Sequence, residues 1–229
     1  MKRFTAVLGA IALAASLPNA TAAQSSSSLA GWIGLMLTPA GALPPVHGGD
    51  PGGGSFVARY GHWEFGPGDD ETTNFGAGFR FSAGNGRMTV NLGMGRVADC
   101  TDCNTIMGGL EYEKSVAESS LGANTKLGFA INPALGIGKP TDDDGSFQSL
   151  SIKLPITLSL GSGVTPFLAP GIGFGRISGG GDSESGVRTM LGGGITVSGL
   201  GPLQITASAQ KVFLEEAPTL YGFAIAFGK

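Results

Sequence analysis

His62 and Glu64 stand two residues apart, a spacing that puts both side chains on one face of a strand. A carboxylate there can orient an imidazole for general-base work. Hydrolysis by such a pair needs a nucleophile beside it, and no serine is tied to His62 by sequence. Beside Tyr60 and Trp63, His62 reads first as part of an aromatic girdle. Cys100 and Cys103 have the C-x-x-C spacing of redox motifs and of half a zinc site. The two histidines, His47 and His62, have no spacing that would complete a zinc tetrad. In an exported chain the cysteines read first as a local disulfide bracing a loop. Asp142, Asp143 and Asp144 offer oxygens to a hard cation but lack the spaced ligands and closing Glu of an EF-hand, so a solvated acidic loop is the leading reading and a metal the weak one. Gly171-x-Gly173-x-Gly175 has the glycine spacing of a nucleotide loop without the helix that must follow it. No cofactor is expected.

A second set of chemically capable residues is scattered: Arg80, Arg87, Glu111, Glu113, Lys126, Lys153 and Arg188. Each falls at the polar parity of an alternating run. The clearest run is Leu150 to Leu160, where every even residue is Leu or Ile and the odd ones are Ser151, Lys153, Pro155, Thr157 and Ser159. Strict period two means a strand with one apolar and one polar face. Similar runs recur, and strands are expected near 55–65, 73–82, 87–97, 105–115, 121–137, 147–160, 164–176, 186–198, 203–213 and 219–228. If the apolar faces meet lipid, the charged residues line a lumen, with Arg59 joining them. Two readings of that lining stay open: a salt-bridged, filled core, or a narrow pore.

The connections differ in kind. Ser82–Gly86, Lys114–Ser120, Gly161–Gly163 and Ser198–Pro202 are short and poor in acid. Gly66–Glu71, Ala98–Asn104, Pro140–Ser146, Ser178–Ser185 and Leu214–Pro218 carry 12 of the 17 carboxylates. Alternate connections of a meander fall at one end, so this charge gathers at one rim.

Met1 to about Ala22 reads as a Sec-type signal peptide: Lys2 and Arg3, an apolar stretch from Phe4 to Leu17, and the small residues Ala20-Thr21-Ala22. That stretch is shorter than the ~20 residues a spanning helix needs. Residues 23–54 are rich in Gly, Pro and Ser, with Leu29–Leu37 apolar on both faces, either an extra strand or a segment packed inside the domain. Of 14 basic residues, Lys2 and Arg3 leave with the signal, so 12 face 17 acidic ones, which argues against a nucleic-acid partner. Gly is 41 of 229 residues but falls inside alternating apolar runs, which argues against disorder.

The last strand has Tyr221, Phe223, Ile225 and Phe227 alternating with Gly222, Ala224 and Ala226. It resembles the C-terminal strand of bacterial outer-membrane β-barrels, most closely small single-chain barrels of the OmpA-transmembrane and OmpW type. Gly228 and Lys229 follow Phe227, a departure from that family's terminal aromatic. The resemblance covers 55–229 and implies an all-β fold, a single up-and-down antiparallel transmembrane barrel of about ten strands (8–12). It implies a Gram-negative outer-membrane location among lipid and lipopolysaccharide, and the barrel-assembly machinery as a partner read through Tyr221, Phe223 and Phe227. The expected role is structural, surface-contact or narrow passive transport, by a non-enzymatic monomer with acidic loops outside the cell. The alternatives are a lipid-modifying barrel enzyme and a secreted soluble β-barrel or sandwich.

Overall fold

A computed structural model describes residues 54–64, 71–97, 104–141, 144–161, 163–213 and 219–228. Among them every regular element is a strand: β1 (Ser55–Glu64), β2 (Thr72–Ala83), β3 (Gly86–Val97), β4 (Asn104–Gly122), β5 (Thr125–Pro140), β6 (Ser146–Lys153), β7 (Ile156–Leu160), β8 (Val164–Gly179), β9 (Asp182–Leu200), β10 (Leu203–Val212) and β11 (Thr219–Gly228). Chain neighbours pair antiparallel, and β1 pairs β11 to close the ring. Both β6 and β7 lie between β5 and β8, so they are two halves of one stave of a ten-stave barrel. The signal peptide, residues 23–53, both cysteines, Asp142 and Asp143 lie outside the described residues.

The expected continuous strand 147–160 is interrupted at Leu154-Pro155. Pro155 has no N–H for the ladder. Its carbonyl accepts from Ala130 N at 2.9 Å, and Leu154 N donates to Pro170 O at 2.8 Å, so pairing resumes on both sides. The expected connection at Lys114–Ser120 is strand instead. β4 runs on to Gly122, Ser120 stands opposite Lys126, and the turn falls at Ala123-Asn124. Charge there misleads as a turn signal, because a wall that extends past its apolar band carries polar side chains outward at no cost. Ser178–Ser185 likewise tightens to a two-residue turn. Gly180 and Gly181 have φ of 60° and 92°, the left-handed pair a type I′ hairpin demands.

The alternation sorts the faces as expected. Leu150 and Ile152 point outward and are exposed, while Ser151 and Lys153 are buried inside. Phe56, Leu92, Ile106, Ile137 and Phe227 are each more than half exposed. Across strands, outward rings meet at 5.2 Å for Phe56–Phe79 and 5.4 Å for Tyr60–Phe75. The inner wall carries Arg59, Asn74, Arg80, Asn91, Glu111, Lys153, Thr196 and Thr206, all buried.

The strands are strongly staggered. The ladder row through Arg59 passes Gly76 and Gly93 to reach β4 at Met107. The other way round it passes Ala224, Thr206, Thr196 and Thr165 and, through β7 and β5, reaches the same strand at Ser120. Horizontal layers therefore cut diagonally across the ladder. Ten strands about 4.8 Å apart and tilted about 40° enclose a ring roughly 20 Å across between backbones.

Candidate functional site

Inside that ring an ion pair links β1 to β4. Arg59, on β1, gives both terminal guanidinium nitrogens to Glu111 on β4: Nη1 to Oε1, and Nη2 to Oε2 at 3.1 Å. Asn91 Nδ2 on β3 donates to the same Oε1 at 3.0 Å. A fork-to-fork pair fixes geometry as well as charge. Neither side chain of the pair is more than 8% exposed, so this contact is shielded from water. Asn91 fits only because its neighbour on β2 is glycine. A Cβ at Gly78 would stand 2.5 Å from Asn91 Oδ1 and 2.6 Å from Val90 O.

Two further groups join this centre. Lys153 projects from β6 and feels both Glu111 and Arg59. Toward the short-turn rim, Arg87 donates to Glu113, and Arg80 lies within the field of both carboxylates and both neighbouring guanidinium groups. The described interior thus holds Arg59, Arg80, Arg87 and Lys153 against Glu111 and Glu113. Charged groups packed in a dry interior must face one another, because an isolated buried charge costs several kcal/mol.

Toward the acidic rim the inner wall turns bulky and apolar. Trp63, Met107, Met190, Val212 and Leu220 are each at most 2% exposed. Trp63 stands opposite Leu220, and Val212 opposite Met190. Trp63, expected beside Tyr60 in an aromatic girdle, instead has the inward parity of Arg59, while Tyr60 points outward. The charged centre and this apolar layer succeed one another along the inner wall.

Of the residues singled out by sequence, Arg80, Arg87, Glu111, Glu113 and Lys153 come together. Arg188 stands apart on β9 and donates to the Val187 carbonyl. Lys126 is exposed near the β4–β5 turn, 3.0 Å from the equally exposed Glu118, and does not join the lumen. Arg59 is the centre of the cluster and Asn91 its third member. His62 meets Glu71 rather than Glu64: its Nε2 is 3.7 Å from Glu71 Oε2, and its Nδ1 is 3.5 Å from Thr73 Oγ1. Asp144 is exposed, and no group of three His, Cys, Asp or Glu among the described residues is placed to hold a metal ion.

An apolar exterior around a charged, polar interior reverses the polarity of a water-soluble barrel. A monomer in water rarely exposes an apolar patch beyond a few hundred Å², whereas closed strands with outward apolar residues are what a bilayer admits. The fold and its interior define the class: a transmembrane β-barrel of the outer-membrane type. No family model matches the chain, and no curated protein matches it. Among solved structures it is similar to Neisserial surface protein A (10% identity over 78% of this chain and 98% of that chain, TM-score 0.39). It is also similar to Ail, the attachment invasion locus protein of Yersinia pestis (15% identity, 76% and 97%, TM-score 0.33). A third is the outer membrane enzyme PagL (13% identity, 76% and 99%, TM-score 0.37).

Proposed function

We propose that this protein is a filled, non-conducting β-barrel anchored in a Gram-negative outer membrane, serving envelope structure or surface contact through its acidic loops. The observation that carries this is the Arg59–Glu111–Asn91 bridge across the lumen, under an apolar layer built on Trp63. Ten strands lie near the size at which side chains can fill a barrel, far from the 16–18 that leave an aqueous channel.

The N-terminal start of β1 and the end of β11 share the short-turn rim. A periplasmic C-terminus then turns the acidic rim toward lipopolysaccharide and the medium, with Cys100 and Cys103 as a disulfide bracing one of its loops. Tyr221, Phe223 and Phe227 are outward and exposed on β11, where the barrel-assembly machinery would read them. We read the protein as non-enzymatic, since the partners of His62 are Glu71 and Thr73 and no serine pairs with it among the described residues.

Planar-bilayer recording of the refolded full chain tests the reading. Folding is verified first by heat-modifiable gel mobility. A silent bilayer is the expected outcome; reproducible channel events from folded protein would replace the filled anchor with the narrow-transport reading. Recovery wholly in the soluble fraction without detergent would remove the membrane assignment itself.

A further inference from the structure

The outward rows of β3, β5 and β8 end alike. On β3 the exposed Val90, Leu92 and Met94 are followed, at the next outward position, by Arg96. On β5, Leu135 and Ile137 lead to Lys139, and on β8, Ile172 and Phe174 lead to Arg176. All three cations are exposed and stand at the acidic rim, toward which these strands run. The same rows begin at the short-turn rim on the uncharged Gly86, Thr125 and Val164.

The ladder joins the three into one patch. Met94 faces Ile106, which faces Lys139, so Arg96 and Lys139 stand two strands apart and one outward step out of line. Ile137 faces Gln148, which faces Arg176, so the same offset recurs on the other side of Lys139. The stagger carries every row toward the acidic rim in this direction round the ring. Falling back one outward step every two strands therefore holds the three cations at one level. Two strand spacings are about 10 Å, a gap that Lys and Arg side chains on either side close between them.

The outward residues around them are uncharged. Asn104 faces Arg96, Gln148 and Ser185 face Arg176, and Arg176 Nη2 donates to Ser183 Oγ at 3.1 Å. Among the described residues no carboxylate pairs with Arg96, Lys139 or Arg176. Lys211 closes the outward row of β10 in the same way, but Thr219 faces both it and Glu64, so the wall itself sets a carboxylate two strands from that cation. A cation at the end of a lipid-facing row lays its methylenes on the wall and lifts its charge to the level of the headgroups. Three such charges at one level repel one another, and a shared anion relieves this. Phosphate suits the guanidinium forks of Arg96 and Arg176, the ammonium of Lys139 and the amide and hydroxyl donors between them.

We propose that Arg96, Lys139 and Arg176 form a binding patch for the phosphate groups of a lipid headgroup, those of lipopolysaccharide lying against β3 to β8. The patch rests on the outer-membrane reading and names the ligand of the wall that this reading turns to the outer leaflet.

The test uses the full chain refolded in zwitterionic detergent, with folding verified by heat-modifiable gel mobility. It is titrated with diphosphorylated lipid A and with the same lipid dephosphorylated. The phosphorylated form should bind more tightly by about fivefold per cation engaged, on the order of a hundredfold for all three. Arg96→Gln, Lys139→Gln and Arg176→Gln together should abolish that preference; should the triple variant fail to fold, each single change should cost about fivefold. Lys211→Gln, the same loss of charge at the same rim, should keep the preference. Equal affinity for the two lipids, or a folded triple variant that still prefers the phosphorylated one, overturns the patch. So does a loss in Lys211→Gln as large as in the single patch variants, because the attraction then belongs to the whole rim. Displacement of the lipid by an equal concentration of inorganic phosphate would make this a free-anion site and overturn the lipid as its ligand. A folded, detergent-dependent barrel without the preference loses the patch alone, whereas recovery wholly in the soluble fraction removes the membrane reading and the patch with it.

Discussion

Neutralising Glu111 at constant shape is the sharpest probe of the interior. In Glu111→Gln the bidentate contacts from Arg59 lose their charge, and Asn91 loses a charged acceptor. Arg59 then loses its carboxylate partner, and Arg80 and Lys153 lose one of the negative charges whose field they feel. Arg59 has a fully buried side chain. Removing one partner of a buried pair costs about 3–5 kcal/mol, most of it the penalty on the stranded charge. The same pair in water would be worth no more than ~1 kcal/mol. Urea titration in bilayers, followed by gel mobility and tryptophan emission, separates these ranges. The double replacement Arg59→Met with Glu111→Leu removes both charges and should recover most of the loss, since apolar substitutes for a buried pair are often neutral. Single losses below ~1 kcal/mol, with no coupling in the cycle, would mean that the bridge stands in water and that the lumen is open.

Three other outcomes follow from the same geometry. Gly78→Ala drives a methyl against Asn91 and the Val90 carbonyl, and should cost roughly 1–3 kcal/mol in the same titration, whereas Gly108→Ala, whose Cβ would meet its nearest neighbour at 3.7 Å, should cost far less. Leu110→Lys puts a cation on the lipid face, where ~2–4 kcal/mol is expected near the midplane; an unchanged midpoint in bilayers would argue that this face meets water. Lys126→Gln breaks only an exposed pair with Glu118 and should shift stability by less than ~1 kcal/mol.

Much of this arrangement was legible from parity. Period two separates Arg80, Arg87, Glu111, Glu113 and Lys153 from their apolar neighbours and assigns all five to one side of the wall. Trp63 is legible by the same rule, because it shares the parity of Ser55 and Arg59, yet an aromatic near a strand end equally suits a membrane girdle. Lys126 failed the rule for another reason: β4 and β5 continue past the closed part of the wall, where inward and outward both mean water. Which charges pair was not legible at all. Arg59 and Glu111 are separated by 52 residues and two intervening strands, and only the stagger of the closed ring brings them face to face.

That dependence on stagger assigns different tasks to the two faces. Lipid does not distinguish Leu92 from Met94 or Val90, so a strand that slipped by two residues would keep a fully apolar exterior and insert equally well. A slip of one would expose the polar face and is excluded by the bilayer. Among the side chains, only the inward ones distinguish the native register from the two-residue slip, which the tight hairpin turns also oppose. Such a slip of β4 against β3 would carry Glu111 away from Asn91 and Glu113 away from Arg87, stranding charges on both strands. A slip of β2 would replace Gly78 with Arg80 or Gly76 beside Asn91, and Arg80 has no room there. The apolar face therefore drives insertion and is tolerant of exchange, while a handful of inward charges and one glycine select the register. Glu111→Gln should accordingly do more than lower stability: it should admit slipped barrels, visible as a second folded band or a broadened unfolding transition, which Leu92→Val on the outer face of β3 should not.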